Sequence, residues 1–309
     1  MHIGIVVDAV LPVKRYGGTE RVAWSLGRAL SGLGHKVTFF CRAGSVSTFA
    51  DTVALVPGVP IERLLPSGID VMHFNDAVPE GFGALPYIVT INGNLPEGGE
   101  VPPMAVFVSR NHAERHGGSR YVYNGLDWDD YPAVRLDMRR EWYHFLGKAA
   151  WRVKNVRGAI RIVRRVAGAE LHVLGGRRLN LKMGFRFTVS PRVRFHGMVD
   201  DEEKAGVVSR SLGLVFPVLW DEPFGLCLIE SLYYGAPVYG TPRGSLPEIV
   251  VPEVGYLSED EGEIARRMAE GEGYDPVRCH EYAADLFGAG PMAKGYAALY
   301  GQVLEGVRW

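Results

Sequence analysis

Two glutamates stand on either side of the start of a strongly apolar stretch in the second half of the chain. Glu222 lies just ahead of this stretch, and Glu230, eight residues later, lies inside it. A buried carboxylate without a partner costs several kcal/mol or takes up a proton, so each acid needs a cation or hydroxyl donors. The spacing therefore predicts a site in which two acids hold polar partners.

A helix is predicted to begin near Phe224, between these two acids. The side chains from there to Tyr234 are almost all apolar, so the helix should be buried. Its first-turn amides, around Gly225 and Leu226, are donors at the positive end of the helix dipole, which suits a phosphate. The helix follows a predicted strand at residues 212–217, and open α/β sheets bind ligands beyond the carboxyl ends of their strands.

The elements that position these residues follow from alternating strand-like and helix-like patterns. Runs that are apolar on both faces are typical of buried parallel strands, and turn formers at residues 124–137 indicate a linker between two series of them. The predicted strands are 3–9, 36–41, 52–56, 70–74, 87–92 and 104–109 in the first half and 143–148, 170–176, 192–197, 212–217 and 236–240 in the second. We expect two Rossmann-like domains.

The overall charge excludes some partners, although one segment is strongly basic. The chain of 309 residues is 47% hydrophobic with a net charge of −1, which gives no general attraction to nucleic acid or to an anionic membrane. Residues 139–194, however, hold 15 Lys or Arg against two acids. We favour a solvated basic face here, with a patch for a membrane or an anionic substrate as the alternative.

The sequence favours a cytoplasmic protein without a transmembrane segment. The three cysteines have no metal-ligand spacing, and their odd number gives no disulfide framework. No apolar run approaches the roughly 18 residues of a membrane span, and the amino terminus lacks the features of a signal peptide.

The motifs resemble those of the retaining GT-B glycosyltransferases, specifically glycosyltransferase family 4. The E-x7-E signature of that family stands here as Glu222 and Glu230, followed by "GAPV" at residues 235–238. Other pieces that resemble the family are "GGTE" (17–20), "VSRNHAERHG" (108–117), "NGLD" (124–127), "LGKAAWRVKN" (146–155), "HVLGG" (172–176), "VRFHGMV" (193–199) and "GSLPEIV" (244–250). The resemblance spans nearly the whole chain and is looser in the first half.

The resemblance implies a GT-B fold, in which two Rossmann-like parallel-sheet domains face a central cleft. The implied domains are an acceptor domain at 1–125, a nucleotide-sugar domain at 126–290 and a helix at 291–309 that packs back on the first domain. The implied activity is metal-independent transfer of a hexosyl group from a nucleotide-diphosphate sugar, with retention, to a hydroxyl acceptor that is a small molecule, a glycan or lipid-linked. No cofactor is implied beyond the donor, and nothing predicts nucleic-acid binding.

Residue by residue, the resemblance assigns most of the donor site to the second half. Glu222 would hold hydroxyls of the donor sugar, and Glu230 would hold the ribose hydroxyls. The backbone at Phe224, Gly225 and Leu226 would contact the sugar and the diphosphate. The alternative is purely structural, with Glu222 as a helix-capping acid and Glu230 in a core salt bridge.

Two lysines and two glycines complete the predicted phosphate contacts. The family has an arginine and, six residues later, a lysine on the diphosphate, and Lys148 and Lys154 have this spacing. A lysine in place of the arginine loses the bidentate fork. Gly17 and Gly18 lie in the loop after the first strand, which in the family closes on the diphosphate or the acceptor.

One position departs from the family pattern. Asn92 stands where the family has a histidine near the reacting centre, and asparagine cannot carry a proton or a positive charge. For His73, near the end of the predicted strand at 70–74, we favour a role in the core or in support of the site residues over a catalytic role. For the acids of "DWD" at 127–129 we favour a linker turn over a metal site.

Three other functions stay open at this point. An epimerase acting on nucleotide sugars would have a similar fold and would change its substrate without an acceptor. A catalytically silent protein would bind the donor without transferring or hydrolysing it. A dehydrogenase is disfavoured, because no G-x-G-x-x-G follows the first strand of either half.

Overall fold

The chain folds into two α/β units. A computed structural model describes residues 1–13, 17–180, 185–271 and 273–309, with the backbone alone at Arg186. Unit 1 comprises Met1–Trp128 and Phe287–Trp309, and unit 2 comprises Asp129–Leu286. The domains inferred from sequence, at 1–125, 126–290 and 291–309, stay a prediction, because these units do not show which parts of the chain fold on their own.

Unit 1 is built on a parallel sheet of six strands in the order β3-β2-β1-β4-β5-β6. The elements in its first segment are β1 His2–Val7, α1 Gly18–Gly32, β2 Lys36–Cys41, β3 Asp51–Ala54, β4 Val71–Asn75, β5 Tyr87–Ile91, β6 Ala105–Phe107 and α2 Arg110–Arg115. Strands β1, β2, β4 and β5 are buried over almost their whole length, which explains why they read as continuous apolar runs.

Unit 2 repeats this arrangement with a second parallel sheet, in the order β11-β8-β7-β12-β13-β14. The two strands β9 and β10 form a separate antiparallel hairpin. The elements of unit 2 are β7 Trp142–Leu146, α3 Val156–Arg165, β8 Leu171–Leu174, β9 Leu179–Asn180, β10 Arg186–Phe187, β11 Val193–Gly197, α4 Asp201–Val208, β12 Ser211–Phe216, α5 Leu226–Tyr233, β13 Val238–Gly240, α6 Leu246–Ile249, β14 Gly255–Leu257, α7 Glu261–Glu270 and α8 Pro276–Leu286.

The C-terminal helix α9, Ala289–Leu304, belongs to unit 1, where it packs on α1 and β5. It buries Tyr296 and Tyr300 against the sheet. The Tyr300 hydroxyl is 2.7 Å from Nδ1 of His73, and the Thr90 hydroxyl is 2.7 Å from both His73 Nε2 and the Tyr296 hydroxyl. The prediction of a core role for His73 is therefore confirmed.

Both sheets have the strand order of a doubly wound Rossmann fold, in which the order reverses beside the first strand. This reversal, the switch point, lies between β1 and β4 in unit 1 and between β7 and β12 in unit 2. Loops on either side of a switch point leave a crevice at the carboxyl ends of the strands, where such sheets bind ligands. The strand order therefore predicts one crevice of this kind in each unit.

Candidate active site

The predicted donor-site residues of unit 2 follow the two strands that flank its switch point. Lys148 and Lys154 follow β7, whereas Glu222 and the start of α5 follow β12. Because β7 and β12 are parallel neighbours, their carboxyl ends lie side by side. The predicted donor-site residues therefore lie at the edge of the sheet beside the switch point, where a doubly wound sheet binds its ligand.

Glu222 is buried, and two donors share one of its oxygens. The Lys154 ammonium lies 2.5 Å from Oε2 of Glu222, and the Trp220 indole N–H donates to the same oxygen at 2.8 Å. The Lys154 ammonium also lies 4.9 Å from the centre of the Trp220 ring. Trp220 thus contacts both charged groups of the pair, one through its N–H and the other through its ring face.

The turn that carries Lys154 is tied to the loop that carries Glu222. Asn155, in the left-handed region with φ 56°, caps α3 by accepting the Gly158 amide at 3.0 Å. Its side-chain amide donates to the Pro217 carbonyl at 2.8 Å, and the Leu219 amide donates to the Val153 carbonyl at 2.8 Å. These bonds fix the lysine and the glutamate relative to each other.

The loop after β13 fixes the same glutamate from its backbone side. Gly244 has φ 62°, and a Cβ there would lie 2.2 Å from the Glu222 amide nitrogen, so only glycine fits. The Ser245 amide donates to the Glu222 carbonyl at 2.9 Å, and the Ser245 hydroxyl donates to the Phe224 carbonyl at 2.7 Å. This loop is the start of the "GSLPEIV" segment, whose role in the fold is thus to hold the backbone at Glu222 and Phe224.

Helix α5 begins at Leu226, two residues later than the sequence predicts. Gly225 precedes it in the left-handed region with φ 85°, which ends the extended loop and opens the first turn. The helix is buried, as predicted, and burial also raises the pKa of the Cys227 thiol. That thiol is therefore protonated near neutral pH. The first-turn amides of α5 come before the helix's own hydrogen-bond ladder and face out of its amino-terminal end.

Glu230 meets both a cation and a hydroxyl, as its burial requires. The Lys204 ammonium lies 2.6 Å from its Oε1, and the Tyr131 hydroxyl donates to the same oxygen at 3.0 Å. Lys204 also pairs with Asp201 at 2.9 Å and lies over the Tyr131 ring. Burial alone would lower the pKa of Lys204, but the two carboxylates outweigh burial and raise it.

Lys148 is exposed and is linked to the glutamate through aromatic side chains. Its ammonium lies 5.1 Å from the centre of the Trp151 ring, and the Trp151 ring meets the Trp220 ring edge-on at 6.2 Å. The backbone beside it is fixed by the Ala149 amide, which donates to the Gly175 carbonyl at 3.0 Å. The two lysines therefore share one aromatic pair.

The predicted residues of unit 1 lie at the carboxyl ends of its strands. Gly17 precedes α1, its carbonyl accepts the Arg21 amide at 3.1 Å, and Gly18 is the first helical residue. Asn92 follows β5, and its amide donates to Oδ1 of Asp76 at 2.8 Å. Its side chain donates to Oδ1 of Asn75 at 3.3 Å.

The acids of "DWD" lie where the two units meet along the chain. Trp128–Asp130 forms a short 3-10 turn, and Asp127 pairs with Arg28 at 3.2 Å. Across the described residues, no group of three or more His, Cys, Asp or Glu is placed to hold a metal ion. Among all the residues that the structure describes, no helix is long and apolar enough to cross a membrane.

Several contributors to the site were missed from sequence. Tyr131 and Lys204 lie far from Glu230 along the chain, so only the fold reveals them as its partners. Trp220 stands two residues before Glu222, and an aromatic residue so close to a predicted ligand is the signal that points to it.

Two six-stranded parallel sheets, each in Rossmann order, define a protein of GT-B fold, as predicted. Residues 141–270, all within unit 2, match the family described as Glycosyl transferases group 1. A D-rhamnosyltransferase, WbpZ of Pseudomonas aeruginosa, is 28% identical over 147 residues, which are 45% of this chain. The match spans 38% of that protein, well under two thirds of its length.

Solved structures match over the full chain and support the same fold. AviGT4, a glycosyltransferase involved in avilamycin A biosynthesis, gives a TM-score of 0.79 at 23% identity, covering 100% of this chain and 99% of its own. Sucrose-phosphate synthase of Thermosynechococcus elongatus gives 0.71 at 17% identity, covering 99% and 100%. Anabaena HepE in complex with UDP and glucose gives 0.67 at 13% identity, covering 98% and 100%.

Proposed function

We propose that the protein is a glycosyltransferase that moves a hexosyl group from a nucleotide-diphosphate sugar to a hydroxyl acceptor, with retention of configuration. The observation that carries this proposal is the buried Glu222, held by Lys154 and Trp220 at the switch point of unit 2. A carboxylate fixed beside the start of a helix suits a ligand that has sugar hydroxyls next to a diphosphate. The match of residues 141–270 to group 1 glycosyl transferases supports the same activity.

In the proposed donor complex, each charged group has one task. Glu222 accepts hydrogen bonds from hydroxyls of the donor sugar, and Glu230 accepts them from the ribose. The backbone at Phe224, Gly225 and Leu226 contacts the sugar and the diphosphate. Lys154 has three N–H donors, of which Glu222 takes one, so the others are available to the phosphates.

In the proposed reaction the acceptor oxygen attacks the sugar directly, so the protein supplies no nucleophile and instead stabilises the charge of the leaving diphosphate. The bond from the sugar C1 to the phosphate oxygen breaks as the acceptor oxygen bonds to C1 on the same face. The acceptor proton passes to the departing phosphate oxygen, which leaves a glycoside and a nucleoside diphosphate. Lys148, Lys154 and the α5 amides stabilise the charge that develops on the diphosphate, so we propose transfer without a metal ion.

Family 4 membership rests on the spacing of Glu222 and Glu230 together with these contacts. The glutamates lie before and within α5, and each is held by a lysine and an aromatic side chain. In unit 1, we propose that Asn92 orients a hydroxyl without transferring a proton, since an amide has no proton to give or take near neutral pH. Gly17 and Gly18 are proposed to let the diphosphate or acceptor approach the backbone.

The test combines ligand binding with product analysis. We expect one nucleoside diphosphate among UDP, GDP, ADP and dTDP to raise the melting temperature by mass action. With the matching sugar donors and a panel of alcohols, we expect a glycoside whose anomeric configuration, read by NMR, equals that of the donor. The yield should be unchanged by EDTA. An inverted product, loss of activity with EDTA, or epimerisation without acceptor would contradict the proposal.

A further inference from the structure

The hairpin of β9 and β10 turns an apolar face toward solvent. Phe185, Phe187 and Val189 are 67%, 59% and 80% exposed, and Leu179 is 49% exposed. Leu179 is paired directly across from Phe187, so their side chains share one face. The apolar residues alternate along the chain, whereas Thr188 between them is buried. These four apolar residues are called the hairpin face below.

Exposed cationic side chains lie beside the hairpin face. Residues 177–192 contain five Lys or Arg and no acid. Of these, Arg192 donates to the carbonyls of Arg164 and Val166 at the end of α3 and does not border the face. Arg178 and Arg177 are exposed at the base of the hairpin. Arg157, on α3, is also exposed and donates a hydrogen bond to the Phe185 carbonyl. An apolar face with a basic border fits a surface that is apolar below and anionic above.

The hairpin has a defined base in the fold. The Arg178 guanidinium donates to the Ser190 carbonyl at 3.0 Å and to the Val193 carbonyl at 2.7 Å. The Thr188 amide donates to the Arg178 carbonyl at 3.1 Å. The exposed apolar side chains are thus carried by a strand pair that is attached to the sheet, which limits how far they turn inward.

The size of the face decides between two kinds of partner. A stable protein interface takes roughly 20–30 residues from each side, far more than a short hairpin offers. Insertion into the headgroup region of a bilayer needs only a few apolar side chains when basic residues add attraction to anionic lipid. Met198 is exposed too, but the acidic first turn of α4 follows it, so the surface does not extend that way.

We propose that the hairpin face docks unit 2 onto an anionic lipid surface. Phe185, Phe187, Val189 and Leu179 enter the headgroup region, while Arg177 and Arg157 contact lipid phosphates. The hairpin follows β8, beside Gly175 and Gly176, against which the Lys148 loop packs. Docking therefore brings the proposed diphosphate site near the membrane surface, where a lipid-linked acceptor would be presented.

Binding to vesicles tests this proposal whether or not the protein transfers sugar. The full chain should sediment with phosphatidylcholine vesicles that contain phosphatidylglycerol and stay in solution with phosphatidylcholine alone. Added salt should weaken the binding, because exposed charges are screened. Failure to bind the anionic vesicles, or equal binding to both kinds, would overturn the proposal.

Substitutions on the hairpin face locate the contact. Phe185→Ser combined with Phe187→Ser should weaken vesicle binding roughly tenfold or more, since two aromatic rings lose their apolar contact. Arg177→Gln should weaken it about fivefold. Val189→Ser should weaken it, whereas Val46→Ser, at a valine of unit 1 that is 67% exposed, should not. If the double phenylalanine variant binds like the wild type while its melting temperature is unchanged, the contact is elsewhere and the proposal fails.

Discussion

Trp220 is the residue that most directly couples the two charged groups of the proposed site. Its N–H holds Glu222 at 2.8 Å, and its ring lies 4.9 Å from the Lys154 ammonium. The N–H bond holds the carboxylate that we propose contacts the donor sugar, while the ring lies against the lysine that we propose contacts the phosphates. These two effects are separable, because phenylalanine keeps a ring and removes the donor.

We expect Trp220→Phe to lower kcat and to leave the affinity for nucleoside diphosphate within about twofold. Loss of a hydrogen bond to a charged group is worth about 1.5–3 kcal/mol, which corresponds to roughly a 10- to 100-fold fall in kcat. Steady-state kinetics and calorimetric titration of the diphosphate measure the two quantities.

Trp142→Phe is the matched control for this substitution. Trp142 opens β7 at the opposite end from the site, and its N–H donates to the Val207 carbonyl at 3.0 Å. This variant should keep both kcat and diphosphate affinity. Equal kcat in the Trp220 and Trp142 variants would show that Trp220 does not position Glu222.

Strands β4 and β7 each carry a buried histidine, and these histidines link stability to pH. Burial lowers the pKa of His73 on β4 and of His144 on β7 to about 3, from an ordinary value of 6.5. His144 is bonded to the hydroxyls of Ser211 and Ser231 at 2.7 Å and 2.9 Å. Both imidazoles are thus neutral in the folded chain over a range where the unfolded chain takes up protons.

The free energy of unfolding should therefore fall as the pH falls below about 6.5, and continue to fall toward about 3. In this window the unfolded state binds more protons, and each such histidine contributes a slope of about 1.4 kcal/mol per pH unit. Urea unfolding of the wild type and of His144→Gln, at several pH values, measures the slope. In the His144→Gln variant, the slope of the free energy of unfolding against pH should be smaller by about 1.4 kcal/mol per pH unit, the contribution of one histidine. An unchanged slope would contradict the lowered pKa of His144.

Strand positions were predicted well where burial is complete on both faces. The prediction for β2 matches its observed bounds, and the other long strands are displaced by only a few residues at their ends. The short strand β14 was missed, because Gly255–Leu257 is only partly buried and too brief to show a pattern. The β9–β10 hairpin was missed for the opposite reason, since its apolar residues face solvent.

The site was predictable in its acids and less so in their partners. The positions of Glu222 and Glu230 around a buried helix required cations or hydroxyls, and the structure supplies Lys154, Lys204 and Tyr131. Lys204 pairs with a residue 26 positions away, a contact that depends on how α4 and α5 each pack on β12. Local pattern carries no information about such packing.

At the scale of the whole molecule, the same strand order recurs in both units. Each sheet therefore offers a switch-point crevice, and the assembled cationic and acidic side chains described above follow the flanking strands of unit 2. The central claim is that this crevice binds the donor, with Glu230 at the ribose and Glu222 at the sugar. If this claim is right, Glu230 contributes to the affinity for the nucleotide, and Glu222 contributes only to the affinity for the sugar.

Calorimetric titration of Glu222→Gln and Glu230→Gln, with the nucleoside diphosphate and then the nucleotide sugar, tests this claim most directly. Circular dichroism first checks that each variant is folded. Glu230→Gln should weaken both ligands roughly 10- to 100-fold, the effect of one hydrogen-bonded charge. Glu222→Gln should weaken only the nucleotide sugar and abolish transfer. If both folded variants bind both ligands like the wild type, the donor does not bind at this crevice.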